Sequence, residues 1–127
     1  MNKKNILIID DEKDFCLLVK KNLELIGDFK VDVAFNGEEG IKKATNNQPD
    51  LILLDIIMPE LDGFAVLAKL KENRKTLAIP VLMLSAKEDI ESKLKAAELY
   101  DDAYIIKPVE ASELKARIER VLKPKYS

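Results

Sequence analysis

The chain has 127 residues, with 21 basic and 23 acidic side chains and a formal net charge of −2, a length that suits a single domain with no need of a covalent staple. With 47% apolar and 35% charged residues the composition excludes a disordered chain, and the near balance of charge argues against direct nucleic-acid binding by this domain. The absence of histidine excludes His-based acid–base catalysis and His-ligated metals, and the single cysteine, Cys16, excludes an internal disulfide.

Strand-length apolar runs alternate with helix-period segments. Asn5–Ile9 reads as a buried strand, too short for a membrane span or a secretory h-region, so a cytoplasmic protein is expected. Phe15, Leu18, Val19, Asn22 and Ile26 recur at helical spacing, Cys16 reads as a small buried hydrophobe within that pattern, and Gly27 closes the helix as a glycine just past its end. Val31–Phe35 is a second strand, punctuated by Asn36-Gly37. Glu38–Asn47 is a helix burying Ile41 and Ala44, stopped by Pro49. Leu51–Leu54 is a third strand, and Asp62 can cap a helix running to Leu70. Pro80–Leu84 is the fourth strand, Asp89–Leu99 the fourth helix, Tyr104–Ile106 the fifth strand and Ala111–Leu122 the last helix. Residues 123–127 form a short tail, so one domain spanning residues 1–127 is expected.

Five β-α units in series predict an α/β fold: a doubly wound, three-layer (βα)5 sandwich with a parallel five-stranded sheet. In such sheets ligands bind beyond the carboxyl ends of the strands. There the first strand delivers Asp10 and Asp11, the third Asp55, the fourth Ser85 and the fifth Lys107. Taken singly, each has an ordinary reading. Asp10 or Asp11 could cap the first helix, Asp55 could be a turn residue, Ser85 could open a loop and Lys107 could be a solvated lysine. None of those readings explains why they fall together on one sheet edge.

Phosphoryl chemistry does explain it. Crowded carboxylates repel, and a hard divalent cation relieves the repulsion. Mg²⁺ takes oxygen ligands and keeps several waters, so one or two carboxylates suffice. Asp55 can then attack phosphorus, while the ion, Lys107 and Ser85 each stabilise an equatorial oxygen.

Four segments carry a resemblance: Ile8-Ile9-Asp10-Asp11-Glu12, Leu54 through Gly63, Leu84-Ser85-Ala86 and Tyr104-Ile105-Ile106-Lys107-Pro108. In this order the chain resembles the receiver domains of two-component response regulators over nearly its whole length, Lys4 to Leu122. The resemblance implies a flavodoxin-like strand order 2-1-3-4-5 and makes Asp55 the phosphorylation site. It implies Mg²⁺ (or Mn²⁺) held by Asp11, Asp55 and the backbone carbonyl of Ile57, with Asp10 acting through water. Lys107 would pair with the phosphoryl group and precede a cis proline. Ser85 and Tyr104 would be the switch pair: Ser85 moves to the phosphoryl group and Tyr104 rotates inward, changing the surface of the fourth helix, fifth strand and last helix. The implied donor is a phosphohistidine on a histidine kinase or a histidine phosphotransfer protein. A downstream protein target is a further implied partner, no membrane partner is expected, and the sequence leaves a phosphorylation-dependent homodimer open.

Two departures stand out. The loop Leu99-Tyr100-Asp101-Asp102-Ala103 lacks the usual glycine. Ile57 and Lys87, two residues past Asp55 and Ser85, occupy positions that tune hydrolysis in the family, and the apolar Ile57 would shield a phosphoryl group from water. Ile57 also stands where a Mg²⁺-dependent aspartyl-phosphate phosphatase needs a second acid, which disfavours that enzyme. A degenerate receiver is disfavoured because no acidic residue or lysine of the set is missing. A receiver cut from a longer regulator or hybrid kinase is the remaining alternative.

Overall fold

The computed structural model describes residues 3–86, 104–107 and 109–123. The expected helix Asp89–Leu99, the loop ahead of Tyr104, Lys87, the Lys107–Pro108 bond and the side chain of Ser85 lie outside the described residues. Five strands, β1 (Lys4–Ile9), β2 (Phe29–Ala34), β3 (Leu51–Asp55), β4 (Val81–Ala86) and β5 (Tyr104–Lys107), form one parallel sheet of order β2-β1-β3-β4-β5. Four helices are described: α1 (Lys13–Ile26), α2 (Gly37–Asn47), α3 (Gly63–Glu72) and α4 (Ala111–Leu122).

Alternation along the strands divides the core between the two faces. Ile6, Ile8, Leu51, Leu53, Leu82, Leu84 and Ile105 meet Cys16, Val19 and Leu23 of α1 and Leu114 and Ile118 of α4. Leu7, Ile9, Ile52, Leu54, Met83 and Tyr104 meet Ala44 of α2 and Val66 and Leu70 of α3. The expected three-layer, doubly wound architecture is therefore the one observed, and the strands read as continuous apolar runs because both faces are covered.

Three local expectations change. The buried stripe of α1 is Cys16, Val19 and Leu23, whereas Leu18 is 58% exposed and Ile26 41% exposed. The helix carries apolar residues on more than one side, so spacing alone allows two stripes, and docking against the sheet and α4 selects one. Gly27 is not a left-handed cap: its φ is −145°, and a Cβ there would lie 2.5 Å from the Phe29 ring, so close packing rather than backbone conformation accounts for the glycine. Ile41 is only partly buried against the second cluster, while Gly40 and Ala44 make the inner face of α2. Asp62 caps α3 as expected, accepting from the Ala65 N–H at 2.9 Å.

The open edge of β2 is closed by side chains. The Val31 N–H donates to Glu24 at 2.9 Å, and its carbonyl accepts from Lys20 at 2.6 Å. The Val33 carbonyl accepts from Lys43 at 2.6 Å, and the Phe35 N–H donates to Glu39 at 3.0 Å. An edge strand with free N–H and C=O groups is a template for another strand, and these caps remove it. The double variant Glu24→Ala/Lys43→Ala is expected to self-associate more strongly than the parent at equal concentration in sedimentation velocity. Equal sedimentation of the two would show that the caps are not what guards this edge.

Candidate functional site

The strand order reverses between β1 and β3, and the site forms there. The register pairs Ile9 with Leu54, so Asp10, one residue beyond β1, comes level with Asp55 at the end of β3. On the other side Asp55 pairs with Leu84, and Ala86 pairs with Lys107 at the end of β5. Asp10, Asp11 and Asp55 each offer a carboxylate oxygen within 4.8 Å of the others. Asp10 and Asp55 are buried and Asp11 is exposed.

Asp10 is held at its backbone and at both carboxylate oxygens. Its N–H donates to the Ala34 carbonyl at 3.0 Å, tying it to β2. Its Oδ1 accepts from the Glu12 N–H at 2.9 Å, and its Oδ2 accepts from Lys107 Nζ at 2.7 Å. Asp10 therefore does not cap α1; the cap position belongs to Glu12, whose side chain caps nothing in its own helix. Burial pushes the Asp10 carboxyl above its ordinary value, only partly offset by the Lys107 ammonium and the Glu12 N–H. Lys107 moves upward too: burial alone would lower it, but hydrogen bonds to Asp10 and Glu12, and the charges of Asp10 and Asp55, outweigh burial. The strand-five lysine is therefore not a solvated one.

Lys107 sits among four groups. Besides Asp10 it donates to Glu12 Oε1 at 2.8 Å, and Asp55 Oδ2 lies at 3.8 Å. The Phe15 ring lies beneath it, 4.2 Å from Nζ to centroid. The two α1 partners were not among the expected site residues. Glu12 was visible only as the acid following the aspartate pair, and Phe15 only as a member of an apolar stripe.

The loop after β3 is held tightly. The Ile57 N–H donates to Asp55 Oδ1 at 3.3 Å, and the Gly63 N–H donates to the Ile56 carbonyl at 2.7 Å. Between them Glu60 has φ 68°, with the Leu61 N–H on the Pro59 carbonyl at 2.8 Å. A three-residue turn of this kind at a non-glycine residue is strained, and such strain is held where the surroundings over-determine it. The Ile57 side chain is exposed. Tyr104 is buried, and burial raises its phenol above the ordinary value. Arg117 of α4 donates to its carbonyl at 3.0 Å.

Cys16 is the small buried residue expected. Its thiol donates to the Asp10 carbonyl at 3.3 Å, and burial, with the Asp10 charge adding, pushes its pKa up to about 12. A thiol normally near 9.0 would then carry about a thousandfold less thiolate at a given pH. An aromatic disulfide reagent is expected to leave the native protein unmodified and to titrate one thiol in denaturant. Rapid native labelling would contradict the burial.

This geometry belongs with a known pattern. The "Response regulator receiver domain" family profile matches residues 6–119. The chain belongs to the response-regulator receiver family. The receiver is 42% identical over 123 residues to the alkaline phosphatase synthesis transcriptional regulatory protein PhoP of Bacillus subtilis strain 168, covering 97% of this chain and 50% of that protein. It is 41% identical over 118 residues to the DNA-binding dual master transcriptional regulator RpaA of Synechocystis, covering 93% of the chain and 48% of that protein. The receiver thus spans about half the length of the curated relatives it matches. Among solved structures, the chemotaxis response regulator CheY4 of Vibrio cholerae superposes with a TM-score of 0.83 at 26% identity, covering 95% of this chain and all of that one. Among the described residues no helix is long and apolar enough to cross a membrane.

Proposed function

We propose that this receiver accepts a phosphoryl group on Asp55 from a phosphohistidine of a histidine kinase or phosphotransfer protein, and that the modified domain switches its binding to a downstream protein. The observation that carries this is the convergence of Asp10, Asp11 and Asp55 within 4.8 Å, with Lys107 at 3.8 Å from Asp55, at the point where strand order reverses.

The donor set fits Mg²⁺, or Mn²⁺ in its place: all oxygen, three carboxylates, an exposed approach through Asp11. On the family resemblance, Asp11, Asp55 and the Ile57 carbonyl would ligate the ion directly and Asp10 would act through water, a role for Asp10 that the engagement of both its oxygens by the Glu12 N–H and the Lys107 ammonium supports. When bound, the ion supplies positive charge that relieves carboxylate repulsion and stabilises charge developing on the phosphoryl oxygens.

In the transfer, an Asp55 carboxylate oxygen forms a bond to phosphorus while the phosphorus–nitrogen bond of the donor breaks. The imidazole leaves with the electron pair. Lys107, already buried among anions, balances the charge on a phosphoryl oxygen, and Ser85 donates to another. Ser85 and Tyr104 form the switch pair, a reading supported by β4–β5 pairing, which sets Met83 against Tyr104 and Ser85 against Ile106. Tyr104 is inward in this structure, so phosphorylation on this reading stabilises an arrangement the fold already reaches. Ile57 limits access of water to the aspartyl phosphate.

Intact mass after incubation with a small phosphodonor and Mg²⁺ tests the reading. Wild type is expected to gain one phosphoryl group, and Asp55→Asn or chelation of the ion to abolish the gain. No gain in wild type, or the same gain in Asp55→Asn, would sink it. A second reading, that the switch governs transcription, is favoured by PhoP and RpaA being transcriptional regulators of which such a unit forms about half.

A further inference from the structure

We propose that Glu12 is a positioning residue that tethers Lys107 toward α1 and away from Asp55, so that engaging a phosphoryl group requires the ammonium to leave Glu12. This rests on Asp55 being the phosphoacceptor.

Three distances define the tether. Lys107 Nζ is within hydrogen-bond reach of Asp10 at 2.7 Å and Glu12 at 2.8 Å, but stands 3.8 Å from Asp55 Oδ2, beyond it. Asp10 is buried and fixed by its backbone. It cannot follow the ammonium or release it without leaving a carboxylate unpaired inside the fold. Glu12 differs: its side chain is 62% exposed, so water takes over its hydrogen bonds once Lys107 departs.

The side chain of Glu12 is also unusually placed for its position. It stands at the N-cap of α1, where the shorter Asp or Asn bonds the first turn, and it makes no such bond. It reaches instead to the end of β5, 95 residues along the chain. Its backbone is pinned at both ends, the N–H to Asp10 and the carbonyl to the Cys16 N–H at 3.0 Å. Phe15, one turn on, offers its ring to the same ammonium at 4.2 Å. The first turn of α1 thus supplies a carboxylate and a π face that share one cation with Asp55. Neither holds it as firmly as a buried ion pair would.

The test is the affinity of the domain for beryllofluoride, a phosphoryl mimic, in saturating Mg²⁺, followed by fluorine NMR for wild type, Glu12→Ala and Glu12→Asp. Aspartate keeps the charge but falls one methylene short and can cap its own helix. Both variants are expected to bind the mimic roughly two- to fivefold more tightly than wild type, the scale of one exposed ion pair. Mn²⁺ affinity without the mimic, read by EPR, is expected to fall no more than about twofold, the scale of a distant surface charge. Three results would overturn the inference: unchanged or weaker mimic binding in Glu12→Ala, wild-type binding in Glu12→Asp (charge acting at a distance), or a larger loss of Mn²⁺ (Glu12 as a ligand). If wild type itself fails to bind the mimic, the phosphoacceptor reading falls and this inference with it; if wild type binds and the variants match it, only the role of Glu12 is lost.

Discussion

Replacing Gly63 by alanine is expected to destabilise the receiver by about 3 kcal/mol, the scale of overpacking against atoms that cannot move aside. A Cβ at Gly63 would lie 2.3 Å from the Asp55 carbonyl oxygen and 2.7 Å from the Ile56 Cα, and both are backbone atoms of the segment that ends β3. The Gly63 N–H already bonds the Ile56 carbonyl at 2.7 Å, so the added methyl forces the two chains apart at their closest contact. In a domain this size the loss corresponds to roughly 10 °C in thermal midpoint. The same movement displaces Asp55 and Ile57, so Mn²⁺ affinity is expected to drop as well. Gly27→Ala is the comparison. There the added methyl clashes with the Phe29 ring, a side chain and not backbone, and a smaller loss is expected. Urea unfolding of the two variants decides it; a Gly63→Ala protein as stable as wild type would mean the close approach is not there.

Lys107→Met is expected to cost on the order of 3 kcal/mol at neutral pH, and much less in acid. The substitution keeps length and apolar stem but removes the charge that Asp10 faces at 2.7 Å. Removing one partner of a buried pair leaves the other uncompensated. The sign of the pH dependence follows from Asp10. Burial holds its carboxyl above 3.8 in the fold, and losing the Lys107 ammonium removes a cause that lowers it, so the pKa rises further. A group whose pKa is raised on folding contributes stability that is fully present below its unfolded value and is lost as pH rises through the folded one. Below the folded value of Asp10 in wild type, itself above 3.8, both proteins lose stability alike as pH rises; the gap opens above that value, where wild-type Asp10 has ionised beside Lys107 and the variant's must still ionise without a partner. Urea midpoints at a series of pH values measure it, and a gap independent of pH would show that Asp10 is not the group responsible.

Most of the fold was legible because each level of the chain says the same thing. Ile6–Ile9 and Leu51–Leu54 have no polar lapse, which only a doubly covered strand tolerates, and Asp62 marks a helix start with the side chain that bonds it. The α1 stripe was misread because apolar residues there exceed what one face needs. Gly27 was misread because a glycine at a helix end looks the same whether backbone conformation or a neighbouring ring requires it.

Strand ends were readable one by one, so Asp10, Asp11, Asp55, Ser85 and Lys107 could be named from the chain alone: a residue that ends an apolar run must leave the core. Their mutual distances could not. Register and sheet order bring Asp10 level with Asp55 and carry Lys107 across from the far edge, and pairing between segments up to 97 residues apart has no local sequence signal. Glu12 and Phe15 belong to the same class. Each is unremarkable in sequence, and each acquires its role only because α1 packs where its first turn meets the end of β5.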